Sequence, residues 1–110
     1  MTVRELIEAT GWEVLVEPGN PQQMVSGGFA GDLLSWVMGH GESGQVWITV
    51  QGHVNVAAVA VLKEFSCLVL ANQAQPEEEM LQKAAQENIA VLRCKETTFE
   101  ACRRLIACGL

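Results

Sequence analysis

Between Gly27 and Leu62 the chain reads GGFAGDLLSWVMGHGESGQVWITVQGHVNVAAVAVL: a glycine pair, an apolar helix-like segment, an alternating strand and a nearly all-apolar second helix. No long linker separates them. Strands and helices that follow one another this closely build an α/β layer structure, and such structures offer small polar residues to ligands at the strand ends.

Gln45 to Gln51 alternates, with Val46, Ile48 and Val50 on one side and Trp47 and Thr49 on the other, which is the period of a strand. From Val54 to Leu62 eight residues are apolar and one is Asn, followed by Lys63-Glu64. The four valines favour a strand, yet Ser66 to Ala71 reads as a strand close behind, and parallel pairing requires a crossover. Val54 to Glu64 is therefore expected to be a helix. A helix apolar on nearly every face must bury more than one of them. The expectation is that the sheet takes one face and a second subunit the other, through Val54, Ala57, Ala58 and Val61.

The remaining elements follow from local signals. Thr2 to Ala9 is an amphipathic helix with Val3, Leu6 and Ile7 on one face, stopped at Gly11. Glu13 to Val16 is a strand, Glu17 to Pro21 a loop, and Met24 to Ser26 a second strand ending at Gly27-Gly28. Asp32 to Met38 is expected as a helix with Asp32 at its N-cap, ended by the turn Gly39 to Gly44. Pro76-Glu77-Glu78-Glu79 starts a helix that runs to about Asn88, its carboxylates near the positive end of the dipole. Ile89 to Cys94 is the last strand. Thr97 and Glu100 have capping-box spacing ahead of a final helix from Thr98 to Ala107. The sum is one domain over residues 1–110, a three-layer α/β fold with a largely parallel sheet flanked by helices.

Composition narrows the function classes. A chain of 110 residues can bury roughly two-thirds of its unfolded surface as a single domain. Charged residues make up 18%, against about 25% in ordinary soluble domains, and 49% are hydrophobic, so an interface between copies is expected. Net charge is −6, and the seven basic residues are scattered apart from Arg103-Arg104, so neither nucleic acid nor an anionic membrane surface is an expected partner. The amino terminus lacks the apolar core of a secretory signal, and a cytoplasmic location is expected. Cys67, Cys94, Cys102 and Cys108 show no C-x-x-C pairing and read as reduced, largely buried thiols. Neither a metal nor a cofactor is implied.

The carboxyl ends of the strands are the candidate ligand positions: Gly27 and Gly28, then Gln51, His53 and Asn55, then Asn72 with Gln73, and finally Thr97 and Thr98. The plainer reading is that these are ordinary loop and cap residues. Gly39 to Gly44 has the G-x-x-x-x-G spacing of a phosphate loop, but Gln45 stands where that motif requires Lys, and the turn precedes a strand. His53 is a candidate general base and Asp32, the single aspartate, a candidate carboxylate partner; a cap is the plainer role for each.

With these segments placed, the chain resembles the DRTGG-domain family, a module similar to the N-terminal domain of bacterial HPr kinase/phosphorylase. The resemblance runs through Gly31-Asp32-Leu33-Leu34-Ser35 with Val37-Met38, Val46 to Gln51, His53 to Ala60, and Thr98-Phe99-Glu100-Ala101. It implies a regulatory α/β module without the kinase domain. The family's Asp-Arg pair and Thr-Gly-Gly are replaced here by Gly52-His53 and Ala71-Asn72-Gln73, so ligand contacts through those residues do not carry over. The functional expectation is a non-catalytic regulatory or interaction module acting as a homodimer. The alternatives are a sensor of a small anionic ligand, such as a nucleotide or phosphorylated metabolite, and a hydrolase or transferase using His53.

Overall fold

The computed structural model describes residues 1–110. Ten elements follow in the order α1 (Val3–Thr10), β1 (Glu13–Val16), β2 (Gly27–Ala30), α2 (Leu34–His40), β3 (Gln45–Thr49), α3 (Val54–Leu62), β4 (Cys67–Leu70), α4 (Glu78–Gln86), β5 (Ala90–Arg93) and α5 (Thr98–Ala107). Five strands form one sheet in the order β1-β5-β4-β3-β2. Strands β2 to β5 are parallel, and β1 joins β5 antiparallel at one edge. The three-layer, largely parallel fold expected from the sequence is the one observed.

The parallel strands lie side by side in chain order, so right-handed crossovers put α2, α3 and α4 on the same face. Helices α1 and α5 cover the other. Alternation within each strand divides the core accordingly. Val46, Ile48, Cys67, Val69, Ala90 and Leu92 pack with Val3, Leu6, Ala101 and Leu105. Trp47, Leu68, Leu70 and Val91 pack with Val37, Val56, Ala60, Met80 and Ala84. The indole of Trp47 is fully buried, and its one polar atom donates to the Gly31 carbonyl at 2.9 Å, which satisfies it without water.

Local signals explain where α1 starts and stops. Thr2 and Glu5 form a reciprocal capping box, with Glu5 N–H donating to Thr2 Oγ1 at 3.1 Å and Thr2 N–H donating to Glu5 Oε1 at 2.8 Å. Gly11 ends the helix at φ 67°, in the left-handed region that glycine enters without strain.

Four expectations need correction. The second strand is Gly27–Ala30 rather than Met24 to Ser26; Met24 makes only an isolated bridge to Thr2. Its low strand propensity is tolerated because β2 is a sheet edge. Helix α2 begins at Leu34, and its N-cap is Leu33 without a side-chain bond, because the Asp32 carboxylate is bonded to β3 instead. Helix α4 starts at Glu78 with Glu77 as N-cap, so Pro76 lies outside it, and it ends before Asn88, which sits at φ 62°. Last, α3 is the middle helix of its layer, touching α2 on one side and α4 on the other. These neighbours and the sheet cover much of its apolar surface, while Leu62 at its end stays exposed. Ala57 is completely buried and cannot reach a second subunit, while Val54, Ala58 and Val61 are half-buried.

The loops around α3 pack tightly. A Cβ added to Gly52 would lie 2.5 Å from the Gln75 carbonyl oxygen and 2.6 Å from the Pro76 Cα, both backbone atoms that cannot swing away. Gly52→Ala is expected to destabilise the fold by about 1–3 kcal/mol, read as a lowered urea midpoint; an unchanged midpoint would contradict this packing.

Candidate functional site: the carboxyl end of the sheet

Strands β2, β3, β4 and β5 all finish at one end of the sheet, and β1 begins there, with Glu13 opposite Arg93. Gly27 and Gly28 are not at this end. Gly27 pairs with Gln45 at the start of β3, so both glycines lie toward the amino ends of the parallel strands. Their expected place at a strand end followed from reading β2 three residues too early.

The polar groups that do converge here are largely bonded to one another. Asp32 Oδ1 accepts from Thr49 Oγ1 at 2.8 Å and from Val50 N–H at 2.9 Å, tying the end of β2 to the end of β3. The Gln51 side-chain amide donates to the Asp32 carbonyl. His53 Nδ1 accepts from Asn55 N–H at 3.0 Å and caps α3. Glu77 Oε1 accepts from Val54 N–H at 3.3 Å and lies 3.9 Å from His53 Nε2. The amino end of α3 thus already faces a carboxylate from its own chain. His53 and Asp32 each bond to other groups, and no hydrogen bond joins them into a catalytic pair.

The turn after β4 is closed in the same way. Asn72 and Gln73 sit at φ 56° and 54°, and their N–H groups donate to the carbonyls of Glu96 and Cys94, each at 2.8 Å. Amides expected to be free for a ligand therefore join β4 to β5. Thr97 Oγ1 accepts from Glu100 N–H at 3.2 Å, but the Glu100 carboxylate bonds to Arg103, so this capping box is one-sided. Thr98 opens α5 and is half-buried.

Beside β5 a polar crevice of about 350 Å³ opens, lined among others by Trp12, Gln73, Arg93, Lys95, Glu96 and Arg104. Glu96 Oε2 accepts from Trp12 Nε1 at 2.9 Å and from Arg104 Nη1 at 2.8 Å. Arg104 Nη2 donates to the Thr10 carbonyl at 2.7 Å, and its guanidinium lies 5.8 Å from the centre of the Trp12 ring. Arg93 is paired with Glu13 at 3.0 Å, whereas Lys95 is exposed and makes no ion pair. The Trp12 indole bond holds the Glu96 carboxyl below the usual carboxylate range, and Arg104 adds to the effect. Burial, reinforced by the Glu96 charge, pushes the neighbouring Cys94 thiol up to about 11. Burial pushes Cys67 up to about 12 and raises Cys102. These three thiols are protonated at neutral pH and poor nucleophiles.

Sequence reading missed Trp12, Lys95, Glu96 and Arg104. Trp12 meets Glu96 across 84 positions and Arg104 meets Thr10 across 94. No local spacing signals such contacts.

The fold and this site define a three-layer α/β module whose strand ends are tied together from within. The chain belongs to the DRTGG domain family, whose model matches residues 5–108. It is also similar to the solved structure of the CBS and DRTGG domains of the regulatory region of Clostridium perfringens pyrophosphatase, complexed with the activator diadenosine tetraphosphate. The TM-score is 0.76 at 15% identity, over 96% of this chain and 46% of that one, so the chain spans about half the length of that regulatory region. No curated protein matches. No helix is long and apolar enough to cross a membrane.

Glu96 supplies a pH prediction. Because its folded-state pKa is depressed, its contribution is full above the unfolded carboxylate value of about 4.3 and is lost as pH falls through the folded value. Glu96→Gln is expected to cost roughly 1–2 kcal/mol at pH 7. Thermal melts of variant and wild type should converge as the pH falls through the depressed folded-state value; a pH-independent difference would contradict the assignment.

Proposed function

We propose that this chain is a non-catalytic regulatory or interaction module that works as a homodimer in the cytoplasm. The observation that carries this reading is the mutual bonding of the strand-end groups: Asp32 with β3, Glu77 with α3, and the Asn72 and Gln73 amides with the β5 loop. A catalytic site needs groups free to meet substrate, and here the conspicuous ones hold loops together. A kinase activity is not part of the proposal. Purified protein is expected to sediment as a dimer at micromolar concentration and to hydrolyse neither nucleotides nor phosphate esters. A monomer, or turnover abolished by His53→Ala, would sink this reading.

A second reading is supported by the crevice beside β5 and by the activator complex of the similar regulatory region. Glu13 and Glu96 pair with Arg93 and Arg104, so Lys95 gives the crevice one net positive charge in an otherwise acidic protein, and Asn72, Thr97 and Thr98 lie in the adjoining turns and helix start. In this reading the crevice senses a small anionic ligand, a nucleotide or phosphorylated metabolite, and ligand contacts through Gln51, His53 and Asn55 would require the Glu77 carboxylate to move aside. Mono- and dinucleoside polyphosphates should raise the melting temperature, with about 2.7 kcal/mol of stabilisation at a hundredfold excess over Kd. Lys95→Glu should remove the shift. The absence of any shift with the whole panel would reject sensing while leaving the interaction module standing.

A further inference from the structure

We propose that β2 is the self-association edge of this protein, pairing antiparallel with β2 of a second copy about a two-fold axis at Phe29. The proposal rests on the homodimer reading and adds to it a surface and a register.

The two edges of the sheet are built differently. At β1 the register slips between Val14 and Val16, Glu13 and Glu17 flank the strand, and Pro18 follows. Irregularity, charge and proline are the devices by which an edge avoids pairing with a foreign strand. At β2 none of them is present. Gly27-Gly28-Phe29-Ala30 carries no charge and no proline, and it pairs with Gln45 to Ile48 without a bulge.

Strand geometry then sets which groups are unpaired. Gly31 N–H donates inward to the Ile48 carbonyl at 3.1 Å, so Phe29, on the same parity, also faces β3. Gly28 and Ala30 aim their N–H and C=O outward. Both residues are exposed, and neither has a bulky side chain to obstruct an approaching strand.

A second copy is the occupant that fits. With a two-fold axis through Phe29, Gly28 lies opposite the partner's Ala30, and Ala30 opposite the partner's Gly28. Each such antiparallel pair exchanges two hydrogen bonds, so four outward donors meet four outward acceptors with no other chain required.

The surroundings match on both faces. Helices α2 and α5 border this edge, and Leu33, Trp36 and Ile106 are 66%, 57% and 67% exposed. Between β2 and α5 runs an apolar groove of about 370 Å³ lined by Ile48, Cys102, Leu105, Ile106 and Leu110. Charge favours the same face. From Pro18 to Leu62 the only charged residues are Asp32 and Glu42, of twenty in the chain. Two copies meeting at β2 bring together the segment with least charge and keep the acidic remainder apart.

Sedimentation equilibrium of the full chain tests this with Ala30→Lys, Ala30→Pro and Leu62→Lys. Ala30 is exposed and its N–H is unpaired within the chain, so proline there removes no internal bond; circular dichroism melts confirm that the variants fold. Both Ala30 variants are expected to weaken the dimer by more than about tenfold, while Leu62→Lys, at the exposed end of α3, leaves it unchanged. A wild-type monomer at micromolar concentration removes the homodimer reading together with this edge. A dimer that survives both folded Ala30 variants, or that Leu62→Lys dissociates, overturns the edge alone.

Discussion

The order of the parallel strands is the constraint on which the rest of this structure depends. Because β2, β3, β4 and β5 are neighbours in chain order, each crossover has the same hand and falls on the same side. Three helices must then share one face of a sheet five strands wide. The middle one, α3, acquires a helix on either flank as well as the sheet beneath it, which is why a segment as apolar as Val54–Leu62 is compatible with a folded chain. The opposite face is left to α1 and α5, and α5 reaches across to β2 and β3.

The same order shapes the carboxyl end of the sheet. The turn after β4 leads to one face and the turn after β5 to the other, the arrangement that in open α/β sheets creates a ligand crevice. Here the Asn72 and Gln73 amides bond to the carbonyls of Cys94 and Glu96, and the junction is closed. The opening is displaced to the outer side of β5, where Trp12, Glu96 and Arg104 meet. Antiparallel β1 makes that displacement possible by bringing Thr10, Gly11 and Trp12 alongside the end of β5.

Much of the architecture is legible in the sequence. The alternation of Gln45 to Gln51, the run Val54–Leu62 and the Pro76 helix start placed β3, α3 and α4 to within a few residues. Errors occurred where a short polar or glycine residue had two roles open to it. Asp32 could cap α2 or tie β2 to β3, and the second arrangement satisfies two donors at once. Gly27 and Gly28 could end a strand or belong to one, and the outcome depended on their register with β3. The site was less legible than the fold. Gln51, His53, Asn72 and Thr97 do lie at strand ends, but whether their groups are free depends on partners such as Glu77 and Glu96 that are distant in sequence.

By itself the sequence determined the class of fold and the division of each strand into two buried faces, since period and hydrophobicity are local properties that burial must respect. It also determined the family and the scarcity of charge through the middle of the chain. Tertiary structure alone decided which apolar faces are met within the chain and which remain open. α3 is flanked by helices on both sides and buries Val56, Ala57, Val59 and Ala60, whereas β2 stands at an edge with Gly28 and Ala30 facing outward. The physical reason is that exposure and hydrogen-bond satisfaction are properties of pairs of segments, and pairing is set by strand order, which no single segment encodes.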